Sequence, residues 1–203
     1  IDPRSVEKSM YDVILNDVNL RDCIIKSQWD SLSVAPSNLD LAGAEIELVS
    51  AFNRERLLDG AISSVISDYD FVLIDCPPSI GLLTVNALTA ASEVLVPIQC
   101  EYLALEGLGQ LLSNVERVKN HLNKDLHIST IALVMFDART KLAGQVVEEI
   151  RSHFGERVCQ QTVPRSVRLS EAPSYGQPII YYDSSSRGAI AYRSLAKEIT
   201  GGA

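Results

Sequence analysis

The chain has 203 residues, 46% hydrophobic and only 6% aromatic, enough apolar mass for one domain or two small ones. No stretch approaches 18 consecutive apolar residues and no basic-then-apolar leader is recognisable, so composition points neither to a membrane span nor to export. The net charge of −8 speaks against a general attraction to nucleic acid, but it is uneven: residues 1–138 carry 9 Lys and Arg against 20 Asp and Glu, and residues 139–203 carry 9 against 6.

Seven of the nine late cations are arginines: Arg139, Arg151, Arg157, Arg165, Arg168, Arg187 and Arg193. Such a set is either a solvated, ion-paired surface or a phosphate-facing one, for which the rigid fork of arginine donors is suited. Four scattered cysteines (Cys23, Cys76, Cys100 and Cys159) include no Cys-x-x-Cys pair. That spacing fits reduced thiols in a cytoplasm rather than a disulfide framework or a zinc site.

Ser9 before Met10–Leu15 predicts a capped helix, with Asp12 at capping-box spacing. Leu20 to Ile25 predicts a short helical turn, and Leu32 to Ala35 a short strand ended by Pro36. Helices are predicted over Leu39 to Val49 and, with a clearer apolar face, over Asn53 to Ile66. Phe71-Val72-Leu73-Ile74 then runs into Asp75, and Pro77 and Pro78 forbid continuation. An unbroken apolar run of this kind suits a strand buried on both faces of a parallel sheet. Asp75 would lie at its carboxyl end, where open α/β sheets place ligands, although an aspartate there can also simply begin a turn.

A helix follows over Ile80 to Ala91, then a strand over Glu93 to Ile98 that Pro97 should close. Leu103 to Leu122 reads as a long amphipathic helix and Ser129 to Phe136 as a third strand. A helix over Leu142 to Phe154 should end at Gly155. Val158 to Val163 predicts a strand before Pro164, and a last helix spans Gly188 to Ile199. Strands alternating with helices at this spacing predict a doubly wound, mostly parallel α/β sheet with helices on both faces.

The strand ending in Asp75, with Cys76-Pro77-Pro78-Ser79 and Gly81-Leu82-Leu83-Thr84-Val85-Asn86-Ala87-Leu88, resembles the Walker B segment of the ParA/Soj chromosome-partitioning ATPases. The resemblance continues through Pro97–Leu108, Met135–Thr140, Pro164–Ser174, Ser186–Ala189 and Leu41–Leu48, in order and over essentially the whole chain. Several separated motifs in order are far more specific than any one of them. The resemblance implies a single ParA-type domain over 1–203 with a P-loop NTPase-like fold, and ATP and Mg2+ as cofactors. It further implies an ATP-dependent homodimer that binds DNA non-specifically and hydrolyses ATP when a ParB/Spo0J-type partner stimulates it. The protein would be bacterial, cytoplasmic and nucleoid-associated, without a membrane partner.

By that resemblance Asp75 is the catalytic and metal residue, holding magnesium through a bound water. Pro77, Pro78 and Ser79 form a loop that senses the γ-phosphate. Met135, Phe136, Pro164 and Arg165 match adenine-binding walls, although Met135 and Phe136 also read as core and Pro164 as a strand stop. Arg139 and Arg168 match positions implicated in non-specific DNA binding; Lys141, Arg165 and Arg187 are further candidates from the local excess of cations, and surface solvation or ion pairing is the other reading of these residues. The family's Lys-Gly-Gly-x-Gly-Lys-Thr loop and its Asp-x-Asp-Pro motif occur nowhere in the 203 residues. The resemblance therefore implies that these motifs and their strands precede Ile1, that these residues alone do not hydrolyse ATP, and that Phe71–Asp75 lacks a strand neighbour. Two alternatives belong beside it: a MinD-like septum-positioning ATPase, and a non-enzymatic DNA-binding or interaction module. The ending Leu195–Ala203 is short and weakly basic for the membrane anchor of the first.

Overall fold

The computed structural model describes residues 6–77 and 79–201. The chain divides into two compact units, Ile1–Ser92 with Val115–Leu126, and Glu93–Asn114 with His127–Ala203.

The first unit is helical. Helix α1 (Met10–Leu15) begins as predicted: the Asp12 carboxylate accepts from the Ser9 N–H at 2.9 Å and the Ser9 hydroxyl at 3.1 Å. Those bonds, the backbone one foremost, hold Asp12 below the usual carboxylate range. Helix α2 (Leu20–Cys23) is capped by Asn19, whose side chain accepts from the Arg21 N–H. It stops earlier than the sequence suggests, because Ile25 enters β1 (Ile25–Lys26), which pairs antiparallel with β2 (Ser33–Val34). The strand predicted over Leu32 to Ala35 is that two-residue β2. Helix α3 (Asp40–Leu48) follows, then α4 (Leu57–Ser63) and, after a 3-10 turn at Ile66–Asp68, α5 (Leu82–Ala90). The helix predicted from Asn53 begins at Leu57 instead: Asn53 adopts φ +54, a left-handed conformation incompatible with a helix interior but accessible to asparagine.

Val13, Leu20, Cys23, Leu58, Ile62, Val65 and Ala87 make the core of this unit. Among the described residues its buried polar side chains are Ser9, Thr84, Asn86 and Thr89, and Asn86 is fully buried. Asn86 accepts from the Leu58 N–H at 3.1 Å and donates to the carbonyls of Arg54 (2.6 Å) and Leu82 (2.9 Å). It thus caps α4 from a distance, a role that Arg56 at the helix's own N-cap does not fill with its side chain. The other end of α5 is held by Asn123, whose amide donates to the carbonyls of Leu88, Thr89 and Ala91 at 2.7–3.1 Å.

The second unit carries the parallel sheet, in the order β3 (Glu93–Gln99), β4 (His127–Phe136), β5 (Val158–Pro164). Helix α6 (Tyr102–His121), whose last turns from Val115 belong to the first unit, follows β3, and α7 (Lys141–Phe154) joins β4 to β5. Thr140 caps α7 through the Ala143 N–H at 3.3 Å, and Gly155 ends it at φ +57, as its position after the last apolar repeat predicts. Three consecutive residues of β4 (Ile131, Ala132 and Leu133) are buried. Since successive side chains point to opposite faces, both faces of this strand are covered. Ala132 packs with Cys159, Val163 and Leu195, the last from α10 (Arg187–Ile199). Short helices α8 (Val167–Glu171) and α9 (Ile179–Tyr182) come between β5 and α10 and were not predicted.

Two strand predictions need correction. Pro97 does not end β3: it pairs with Ala132, and the ladder runs on to Gln99. β3 is the outer strand of this sheet, so a residue without an N–H is tolerated where that group would face away from β4. Phe71–Asp75 is not a strand. It forms no ladder, and Phe71, Val72 and Leu73 are exposed, Leu73 by 89%. The apolar run has strand character, but a strand exists only through a neighbour that takes its backbone groups. In the first unit the described strands are the two residues each of β1 and β2, which pair with one another.

Candidate functional site

In the first unit the expected nucleotide residues lie on one connection. Ile74 is half-buried against the helical core and anchors the end of the apolar run, while Asp75, Cys76, Pro77 and Ser79 are exposed. Pro78 lies outside the described residues. The Ser79 carbonyl accepts from the Thr84 hydroxyl at 2.7 Å, so the first turn of α5 fixes the far end of this connection. Gly81 stands at the α5 N-cap beside Glu45: a Cβ at Gly81 would fall 1.9 Å from Glu45 Oε1, so a larger residue there requires the Glu45 side chain to move. That Oε1 is buried with no hydrogen-bond partner among the described residues. Sequence reasoning assigned nothing to Thr84 or Glu45, whose placement depends on where the loop folds back.

The second unit brings together four expected residues. Phe136 pairs with Pro164 in the β4–β5 register, and the Arg165 N–H donates to the Phe136 carbonyl at 2.9 Å, extending the ladder by one bond. Just before this pair the register shifts, and Met135 adopts φ +56. A left-handed conformation is unusual for a residue with a long side chain, and strain of about 1–3 kcal/mol of this kind gathers at functional positions. Met135, Phe136, Pro164 and Arg165 thus form one corner at the carboxyl ends of two parallel strands, the edge where α/β sheets hold ligands. An exposed carboxylate at Asp75 is a hard oxygen donor available to a hydrated magnesium ion, and this corner offers flat apolar and cationic groups, so the residues present fit the implied cofactors in kind. Among the described residues no cluster of three or more His, Cys, Asp or Glu has a metal-binding arrangement.

The expected DNA-facing cations are exposed, and two of them are already engaged. Arg139 is 87% exposed, yet its Nε and Nη2 donate to the two oxygens of Asp137 at 2.9 and 2.7 Å, and its backbone N–H donates to Oδ1 at 3.1 Å. The Arg139 guanidinium, then its N–H, pull the Asp137 carboxyl down to about 2, with a weaker contribution from Arg165. Arg168 donates to Glu171 Oε2 at 3.1 Å and forms an ion pair with Asp183 at 3.5 Å. Glu171 also accepts from the Tyr182 hydroxyl, and Tyr182 stacks on Tyr175 with ring centroids 5.0 Å apart. Lys141 opens α7 and is exposed. The carboxylates Asp137, Glu171 and Asp183 are the partners of these arginines, and sequence reasoning did not single them out. Asp137 and Glu171 lie two and three residues from the arginine each holds, whereas Asp183 is fifteen residues from Arg168 and carries no local signal.

A parallel α/β sheet with chemistry gathered at its carboxyl edge defines the broad class. The chain is similar to the crystal structure of cobyrinic acid a,c-diamide synthase from Mycobacterium smegmatis with a bound ATP analog and magnesium, at a TM-score of 0.81 and 33% identity, covering 100% of this chain and 77% of that one. This is the fold of the P-loop NTPases. The AAA domain family matches residues 1–128. The sporulation initiation inhibitor protein Soj of Bacillus subtilis is 51% identical over 98% of this chain and 79% of the relative. The chromosome partitioning protein ParA of Myxococcus xanthus is 48% identical over 96% of this chain and 69% of the relative. The chain belongs to the ParA/Soj family of chromosome-partitioning ATPases. Among the described residues no helix is long and apolar enough to cross a membrane.

Proposed function

We propose that this protein is a partition ATPase that dimerises with ATP, holds DNA without reading its sequence, and lets go when a ParB/Spo0J-type partner stimulates hydrolysis. The observation that carries this reading is 51% identity to Soj along 98% of the chain, motif order included. Asp75 would hold magnesium, and the connection from Pro77 to Ser79, whose Ser79 carbonyl accepts from Thr84 of α5, would register the γ-phosphate. Met135, Phe136, Pro164 and Arg165 face the adenine. When bound, magnesium neutralises charge on the phosphates, which is most of what phosphoryl transfer asks of its surroundings. Gating follows because a ligand that prefers the dimer selects it, and its cleavage removes the preference.

Arg139, Arg168 and Lys141 supply the DNA contacts. Removing one cation from a duplex phosphate lowers the slope of log affinity against log salt by about 0.9. In the full-length protein with ATP, Arg139→Ala and Arg168→Ala should each weaken retention on a random-sequence duplex and reduce that slope, while light scattering still reports a dimer. Unchanged retention and slope would remove these arginines from the DNA site.

A further inference from the structure

The DNA-facing arginines are not idle. Arg139 presents its fork to Asp137 in the two-pronged arrangement it would offer a phosphate, and Arg168 is held between Glu171 and Asp183. At 87% exposure Arg139 contributes no packing that would explain its being held. Asp137, by contrast, is only 20% exposed and is fixed by the Arg139 N–H within the turn that leads into α7. The carboxylate is therefore the rooted partner and the guanidinium the movable one. Glu171 is similarly rooted: it accepts from Tyr182, which is itself stacked on Tyr175.

We propose that Asp137 and Glu171 act as internal stand-ins for DNA phosphates, each holding one arginine in binding geometry until a phosphate displaces it. This inference rests on the DNA reading of Arg139 and Arg168 given above. Two consequences follow. The arginines are pre-shaped, so little side-chain freedom is lost on binding DNA. Each carboxylate also competes with DNA, so the pairs lower affinity and keep the protein easily released. A surface ion pair contributes little, so neutralising one carboxylate should tighten DNA binding only about two- to fivefold.

Asp137→Asn is the informative variant, because its side-chain oxygen can still accept from the Arg139 N–H and preserve the turn while the charge is lost. Glu171→Gln is the second. Glu148→Gln, an exposed position on α7, makes the same change in net charge away from both pairs. Affinity is measured on a random-sequence duplex with the full-length, ATP-loaded protein, beside Arg139→Ala. The expected result is that Arg139→Ala weakens binding while Asp137→Asn and Glu171→Gln tighten it beyond Glu148→Gln. If Arg139→Ala weakens binding but Asp137→Asn and Glu171→Gln do no more than Glu148→Gln, the stand-in role is overturned and the DNA reading survives. If Arg139→Ala has no effect, the DNA reading of that residue fails and this inference with it.

Discussion

Replacing Asn86 by alanine tests how the helical unit fixes the segment that follows Asp75. The Asn86 side chain is fully buried, with both amide hydrogens donated and its oxygen accepting one hydrogen bond. Truncation strands the Leu58 N–H, one of the donors that the start of α4 cannot satisfy within the helix, and removes a donor from the Arg54 carbonyl. Leu82 is less affected, because its carbonyl lies inside α5. A buried group left without its partner costs about 1–3 kcal/mol, so two such groups give roughly 3 kcal/mol in all, or a melting point lower by about 6–12 °C. Trp29, the single tryptophan, lies in the same unit and reports its urea unfolding by fluorescence. Asn86→Asp separates hydrogen bonding from size. It keeps an oxygen for the Leu58 N–H but turns a second oxygen toward two carbonyls, so its penalty should grow as pH rises above the ordinary carboxylate range and fade in acid. An Asn86→Ala protein within about 0.5 kcal/mol of the parent would refute this reasoning.

Two further outcomes follow from the local chemistry. Asp137 should titrate near 2 by NMR and return toward the usual carboxylate range in Arg139→Ala. A depressed carboxyl contributes stability above its unfolded value of 3.8 that is lost as pH falls through about 2, so the variant should lose the Asp137 part of the acid dependence between those limits. All four thiols are pushed up chiefly by burial, Cys76 also by the neighbouring Asp75 carboxylate, but only Cys76 among them is exposed, while Cys23, Cys100 and Cys159 are buried. Native labelling of this 203-residue chain should therefore modify Cys76 first; protection of Cys76 would show that the Phe71–Asp75 segment is covered.

Much of the fold was legible because it is written locally. Capping at Ser9, the stop at Gly155 and the apolar spacing of α7 and α10 each involve residues within a few positions of one another. The apolar runs of β3, β4 and β5 were legible too: β4 is covered on both faces and needs no alternation, whereas β3 buries Val96 and Ile98 and leaves Leu95 and Pro97 exposed between them. Phe71–Asp75 shows the limit of that reasoning: composition reports strand character, but pairing depends on a distant neighbour. Helices α8 and α9 escaped because helices of five and four residues are too short to show a periodicity. At the site, residue types were legible and their partners were not. The positive φ of Met135 has no glycine to announce it, and the grip of Asp137 on Arg139 depends on the turn in which the Thr140 N–H donates to the Asp137 carbonyl at 3.1 Å. The register that sets Phe136 beside Pro164 arises from an irregular ladder that no local pattern encodes.

The central claim is that Asp75 serves a magnesium–ATP site. Its most direct test is ATP binding to the full-length protein with and without magnesium, compared between the parent and Asp75→Ala. Magnesium should tighten ATP binding in the parent, and Asp75→Ala should lose this gain while remaining folded. Failure of the parent to bind ATP with magnesium, or an equal magnesium effect in Asp75→Ala, would contradict it.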